Sequence, residues 1–202
     1  MNSVYPNSLE SIIEFFKKFP GIGEKSAERM ALSILNIPLD EIQIASDALV
    51  KARETLHPCD ICGNLTDSSK CNICEDEARN QNLICVVEDY KSIYAFEKAG
   101  NFKGVYHVLN GLISPIDDIG VDDINLSSLI RRIKELENPE LILALKGTIE
   151  GETTTLYIKK IFENQKVKIS RLSYGLPSGA EIDYLDMSTI EKALKDRKII
   201  SE

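Results

Sequence analysis

The chain is short of the residues that most catalytic chemistry uses. It has no tryptophan and two histidines, and no Ser-His-Asp or Cys-His arrangement stands out. One histidine, His107, sits inside a predicted strand between Tyr106 and Val108 and reads as a structural residue rather than a base. No G-x-x-x-x-G-K-[ST] string occurs, which excludes the phosphate loop of P-loop nucleotide-binding proteins. No apolar run approaches a membrane span, and residues 1–16 mix polar and acidic side chains among the apolar ones, unlike a signal peptide. The expected compartment is the cytoplasm. A basic excess is also missing: 24 Lys and Arg stand against 32 Asp and Glu, a net charge of −8. That argues against a general nucleic-acid coat, yet leaves room for a local contact surface, because phosphates respond to charges within a Debye length. There is no internal repeat or low-complexity tract. At 202 residues the chain holds one large domain or two or three small ones.

What is present is cysteine in a pattern. Cys59-Asp60-Ile61-Cys62 is followed after eight residues by Cys71-Asn72-Ile73-Cys74. Two such knuckles can offer four thiolates to one tetrahedral metal, a shell that zinc prefers. Pro58, Gly63, Asn64, Asp67, Ser68 and Ser69 suit a tight, loop-rich knob. Disulfides, a redox C-x-x-C and a rubredoxin-like iron site are the other readings of the same spacing. A closed shell leaves no position for substrate and points to a scaffold. The fifth cysteine, Cys85, lies in the apolar run Leu83-Ile84-Cys85-Val86-Val87 and reads as a core thiol.

Around the knob the patterns differ. On its N-terminal side, Leu9, Ile12, Ile13 and Phe16 share a helical face that Ser8 can cap. Pro20-Gly21-Ile22-Gly23 breaks it, a second helix carries Ala27, Met30, Ala31 and Ile34, and Pro38 precedes a third over 40–54 with Ile44, Ala48 and Ala52 inward. On its C-terminal side short apolar strands alternate with helices: strands at 83–87, 105–109, 141–145 and 167–172, helices at 92–99, 126–136, 153–162 and 188–195. This order predicts a largely parallel, helix-covered sheet. Gly175-Leu176-Pro177-Ser178-Gly179 reads as a loop.

Two constellations bear on function. Phe19-Pro20-Gly21-Ile22-Gly23 has the form of a helix-hairpin-helix turn, in which Gly21 and Gly23 allow a tight reversal and the next helix points its free N–H groups at whatever covers the turn. A phosphate fits there without any base being read. Lys25 and Arg29 lie on one face of that helix; a plain helical hairpin with solubilising charges, among them Glu24 and Glu28, is the other reading. Glu88 follows the first sheet strand and Glu150-Gly151-Glu152 the third. Strand C-terminal ends are where open α/β sheets bind ligands, and clustered carboxylates attract Mg²⁺; solvated loop acids that favour a helix start would look the same. The basic residues Lys159, Lys160, Lys166, Lys168 and Arg171 suit either a DNA-facing surface or a solvated helix face.

The order of parts resembles the bacterial RecR recombination-mediator family over essentially the whole chain. The resemblance rests on Phe19 to Arg29, the cysteine set, Ile84-Cys85-Val86-Val87-Glu88, Tyr106-His107-Val108-Leu109-Asn110-Gly111-Leu112-Ile113-Ser114-Pro115, Glu150-Gly151-Glu152-Thr153-Thr154 and Gly175 to Gly179. It implies an α/β multi-domain chain: a helix-hairpin-helix domain at 1–54, a four-cysteine zinc finger at 55–78, a Toprim domain at 79–173 and a C-terminal Walker-B-like segment and helix at 174–202. It implies a ring-shaped oligomer, usually a homotetramer, that clamps DNA through backbone contacts and acts with RecO and RecF to help load RecA onto single strands. By the family's motif, Gly21, Gly23, Lys25 and Arg29 take DNA, one structural zinc per chain binds Cys59, Cys62, Cys71 and Cys74 as a rigid joint, and Glu88, Glu150 and Glu152 face RecO. No catalytic residue is expected. Catalytic Toprim proteins place Asp-x-Asp just before Glu-Gly-Glu, where this chain has Lys146 and Thr148; the alternative class, a magnesium-dependent Toprim nuclease or primase, would need those acids.

Overall fold

A computed structural model describes residues 4–200. The chain divides into two compact units, Met1–Thr55 and Leu56–Glu202.

The first unit is helical: α1 (Asn7–Lys17), α2 (Glu24–Ile34) and α3 (Leu39–Thr55). Pro6, rather than Ser8, occupies the cap position of α1, and its fixed φ suits helix entry. Ile13, Ala27 and Ala31 form the buried cluster, with Tyr5, Leu9, Ile12, Phe16 and Ile22 packed on it. The apolar spacing of α1 and α2 accounts for this pair. It does not account for α3, which buries no residue. Ile44, expected inward, is 69% exposed; Ala48 is exposed and Ala52 half-buried. Helical periodicity says that a face is apolar, not that something covers it.

The second unit opens with the knob: β1 (His57–Pro58) antiparallel to β2 (Leu65–Thr66), then the single turn α4 (Asn72–Glu75). The rest alternates as expected: β3 (Asn80–Val87), α5 (Tyr90–Ala99), β4 (Gly104–Val108), α6 (Leu126–Lys134), β5 (Glu140–Ala144), α7 (Ile149–Phe162), β6 (Lys168–Arg171), a short 3-10 turn (Ile182–Tyr184) and α8 (Met187–Lys195). The sheet runs β4-β3-β5-β6 and all its pairs are parallel. Strand periodicity sorts β3 between two layers. Ile84 and Val86 join Leu126, Leu129 and Ile133 of α6 and Ile158 and Phe162 of α7 on one face. Cys85 and Val87 join Tyr106, Val108 and Ile93 of α5 on the other. Both faces being covered is why the strands read as unbroken apolar runs. Arg79 ties α5 to this layer: its guanidinium donates to Glu97 Oε1 at 2.9 Å and to the Gly104 carbonyl at 3.1 Å, and Tyr106 Oη donates to Glu97 Oε1 at 2.7 Å.

Candidate metal centre and nucleic-acid interface

The β1–β2 turn carries Cys59 and Cys62, Cys71 stands at the start of α4 and Cys74 within it. The four Sγ atoms lie within 4.8 Å of one another, and Cys62 and Cys71 are 3.6 Å apart. Bonds of about 2.3 Å to a tetrahedral zinc would set sulfurs roughly 3.8 Å apart, so the donor set fits one ion. Backbone N–H groups already point at two sulfurs: Asn64 to Cys62 at 3.4 Å and Cys71 to Cys59 at 3.3 Å, as thiolates require. Hydrogen bonds from Cys62 and Cys74 favour the thiolate form of Cys71, and hydrogen bonding to Cys71 holds the Cys62 proton on. All four cysteines are free of disulfides.

The knob is seated on the sheet. Val108 donates its N–H to the Cys62 carbonyl at 2.7 Å, so the outer edge of β4 is partly closed by the metal loop. Ile73 packs on the layer of Cys85, Val87 and Tyr106. Asn125 Nδ2 donates to the Val108 carbonyl at 3.0 Å. Next to this seam His107 is fully buried, its Nε2 2.8 Å from the Asn125 carbonyl. Burial pushes its pKa down to about 4, so it is a neutral structural residue.

In the helical unit the turn between α1 and α2 is open. Gly21 has φ +81°, and no atom lies within 4 Å of where a Cβ on Gly21 or Gly23 would stand. A left-handed φ favours glycine at the first position, while at the second the free space serves approach. Gly23 caps α2 without a side-chain hydrogen bond, leaving the first N–H groups without a side-chain acceptor. Lys25 and Arg29 are exposed, and neither enters an ion pair among the described residues. Glu24 is taken up instead by Lys17, 2.9 Å away and also 2.7 Å from Glu14. Lys17 is not legible in the sequence as a partner, because the reversal that brings it to Glu24 is tertiary.

At the C-terminal end of the sheet the three expected acids do not converge; among the described residues only the cysteines form a group able to hold a metal. Glu88 pairs with Lys146 at 2.8 Å. Glu150 and Glu152 lie inside the first turn of α7 rather than before it, because Thr148 caps that helix by accepting from Gly151 N–H. Glu152 Oε1 accepts from Arg171 and from Tyr174 Oη, each at 3.1 Å. Arg171 also donates to Asp196 at 3.0 Å, and its guanidinium lies 4.8 Å from the Tyr174 ring centre. Lys168 pairs with Glu140 at 2.9 Å, so two of the basic side chains at 159–171 are neutralised, while Lys159, Lys160 and Lys166 are exposed.

Family models match nearly the whole chain in order: the RecR helix-hairpin-helix at 9–53, the RecR four-cysteine zinc finger domain at 56–76, a Toprim domain at 82–173 and the RecR C-terminal region at 175–198. The chain belongs to the RecR family. Membership places it among proteins of DNA recombination and repair, and among non-catalytic scaffolds rather than enzymes. Tyr174, which donates to Glu152, lies just before the RecR C-terminal match, and Asp196 within that match accepts from Arg171 and from the Tyr174 N–H. The sequence carries no sign of those contacts, since a Gly- and Pro-rich loop does not disclose its destination. No helix among the described residues is long and apolar enough to cross a membrane.

Proposed function

We propose that the chain is a cytoplasmic DNA-binding recombination mediator: copies assemble into a clamp, a homotetramer, that touches the DNA backbone without reading sequence and acts with RecO and RecF to load RecA on single-stranded DNA. The observation that carries the reading is the open hairpin: an uncapped helix start beside Lys25 and Arg29, with space above Gly21 and Gly23. One phosphate there receives N–H donors, the positive end of the helix dipole and two unpaired cations. A single hairpin binds weakly, and several in one assembly raise effective concentration. The apolar stripe of α3 supports assembly: Leu39, Leu49 and Val50, 82%, 59% and 55% exposed, lie on one helical face. One zinc per chain, held by Cys59, Cys62, Cys71 and Cys74, stabilises the knob against β4. For RecO we assign the C-terminal end of the sheet, where Glu150 is the acid free of an ion pair among the described residues and Glu88 and Glu152 are internally paired.

The test is a DNA-binding titration against salt with Lys25→Ala/Arg29→Ala. Affinity should fall with the fold intact, and the salt slope should lose roughly one to two per engaged hairpin. Unchanged affinity and slope would remove the hairpin from the interface. Glu150→Lys in the same panel should weaken RecO capture and spare DNA.

A further inference from the structure

Glu88 and Lys146 leave neighbouring parallel strands at the same end of the sheet. β3 and β5 pair with Val87 opposite Ala144, so the residues just beyond bring the two side chains together, Lys146 Nζ donating to Glu88 Oε1 at 2.8 Å. The carboxylate is the more buried member, its side chain 21% exposed against 63% for the lysine. Its second oxygen, Oε2, is buried without a hydrogen-bond partner. Burying a carboxylate oxygen in that state is costly unless a positive charge stands beside the group. At the end of a parallel sheet the charge can be a divalent cation shared by two or more carboxylates or a side chain.

Two other acids at this end, Asp89 and Glu152, are committed elsewhere. Asp89 caps α5, accepting from the N–H groups of Lys91 and Ser92 at 2.8 and 3.2 Å. Glu152 is held by Arg171 and Tyr174. The loop carrying Lys146 is pinned from two sides. A Cβ on Gly151 would stand 1.8 Å from the Lys146 carbonyl oxygen, so α7 begins directly against that loop. Lys192 of α8 donates to the Gly147 carbonyl. The ammonium is therefore placed by backbone that α7 and α8 hold, and its pKa is raised by the hydrogen bond to Glu88.

We propose that Lys146 is a tethered cation that stands in for a divalent metal at this end of the Toprim sheet. It neutralises Glu88, excludes Mg²⁺ and Mn²⁺ from the site and makes the charge of this surface independent of metal supply. A carboxylate pair would bind the metal; an ammonium removes one ligand and repels the ion.

The probe is Mn²⁺, which prefers oxygen donors to thiolates, added to the full zinc-loaded chain and followed by electron paramagnetic resonance and thermal melting. Wild type should show no saturable site that depends on Glu88. Lys146→Asp should gain one Mn²⁺ site, bound about tenfold or more tighter than by wild type, with a melting temperature that rises with Mn²⁺; adding Glu88→Gln should abolish both effects. Lys146→Met should lower the melting temperature, and Glu88→Gln in that background should restore it, because the stranded carboxylate is the cause. Saturable wild-type Mn²⁺ binding lost in Glu88→Gln would overturn the proposal, as would a Lys146→Met protein as stable as wild type. Neither outcome would touch the DNA-clamp reading, which rests on the other unit.

Discussion

In the helical unit Ile13, Ala27 and Ala31 make up the buried cluster and α3 adds nothing to it. In the sheet unit one face alone buries Ile84, Val86, Leu129, Leu141, Ile158 and Phe162, and the other is closed by α5 and the cysteine knob. Two alanines remove little apolar area from water, whereas each large side chain in the sheet contributes roughly 1.5–3 kcal/mol. The sheet unit therefore carries its own stability. The helical unit leaves apolar surface that a further copy of the chain can cover, and the parts we assign to DNA lie on this thinner unit. Function as we propose it follows that line: the Glu88–Lys146 and Glu152–Arg171 pairs lie on the sheet unit, and the exposed Lys25 and Arg29 on the helical one.

The largest expected effect breaks the sheet side of that contrast. Cys71→Ser removes one thiolate from the four-sulfur set and loosens the knob from β4, because the hydrogen bond from Val108 N–H to the Cys62 carbonyl depends on the loop being held. Loss of the ion and a destabilisation of about 3 kcal/mol or more are expected in the sheet unit, with the helical unit's melting unmoved. Zinc content and two-wavelength melting check it. A metal-free variant whose sheet unit melts as before would mean that the knob is an appendage and not part of the core.

Much of that core is legible in the sequence. The run Leu83–Val87 is apolar throughout, and Val105–Leu109 is apolar apart from His107, because both faces are covered, and the intervening helices force them parallel. The Tyr106–Pro115 string, on which the resemblance partly rests, has its side chains from Tyr106 to Leu109 all buried. The cysteine spacing points to a metal centre with no structural input. Three things are not legible. The start of α7 lies earlier than its pattern suggests, since Glu150-Gly151-Glu152 reads as a loop until Thr148 is known to cap Gly151. The pairing of Glu88 with Lys146 depends on β3 and β5 being neighbours, and strand alternation is silent on sheet order. Periodicity alone does not say which face of α3 is covered, and the side containing Ile44 and Ala48 faces outward.

A medium effect sharpens the contrast through pH. His107 is held neutral by burial, its pKa lowered to about 4 from an ordinary 6.5. The unfolded chain thus binds a proton between those values that the folded sheet unit refuses. Stability from this source is full above the unfolded value and falls as pH drops toward the folded one. Between pH 7 and 5.5 the loss is about 1 kcal/mol. The groups facing the ring are the Asn125 carbonyl and Ser128 Oγ, with Arg132 adding like-charge repulsion. His107→Gln should flatten the sheet unit's melting temperature over that interval and leave the helical unit's pH response unchanged. Parallel curves for variant and wild type would assign the acid sensitivity in that interval to groups other than His107; Glu97, whose carboxyl is held low by Arg79, loses its contribution only below the ordinary carboxylate range.

The smallest effect on stability is expected where the helical unit is thinnest. Leu49 is 59% exposed on α3 and shares its face with Leu39 and Val50, so Leu49→Glu removes little buried area within one copy. Glutamate is also a good helix former. Folding stability at a concentration where the chain is monomeric should shift by no more than about 0.5 kcal/mol. The same change puts a charge into the surface we assign to self-association, so native mass should drop toward the monomer at concentrations where wild type is assembled. DNA affinity should fall with it, through lost effective concentration and not lost contacts, since Lys25 and Arg29 are untouched. The two units are thereby separated by measurement: in the sheet unit a core change lowers melting and spares assembly, whereas on α3 a surface change spares melting and lowers assembly. A Leu49→Glu chain that keeps both its mass and its DNA affinity would show that α3 is not the contact, and that the thin core of the helical unit needs no second copy to cover it.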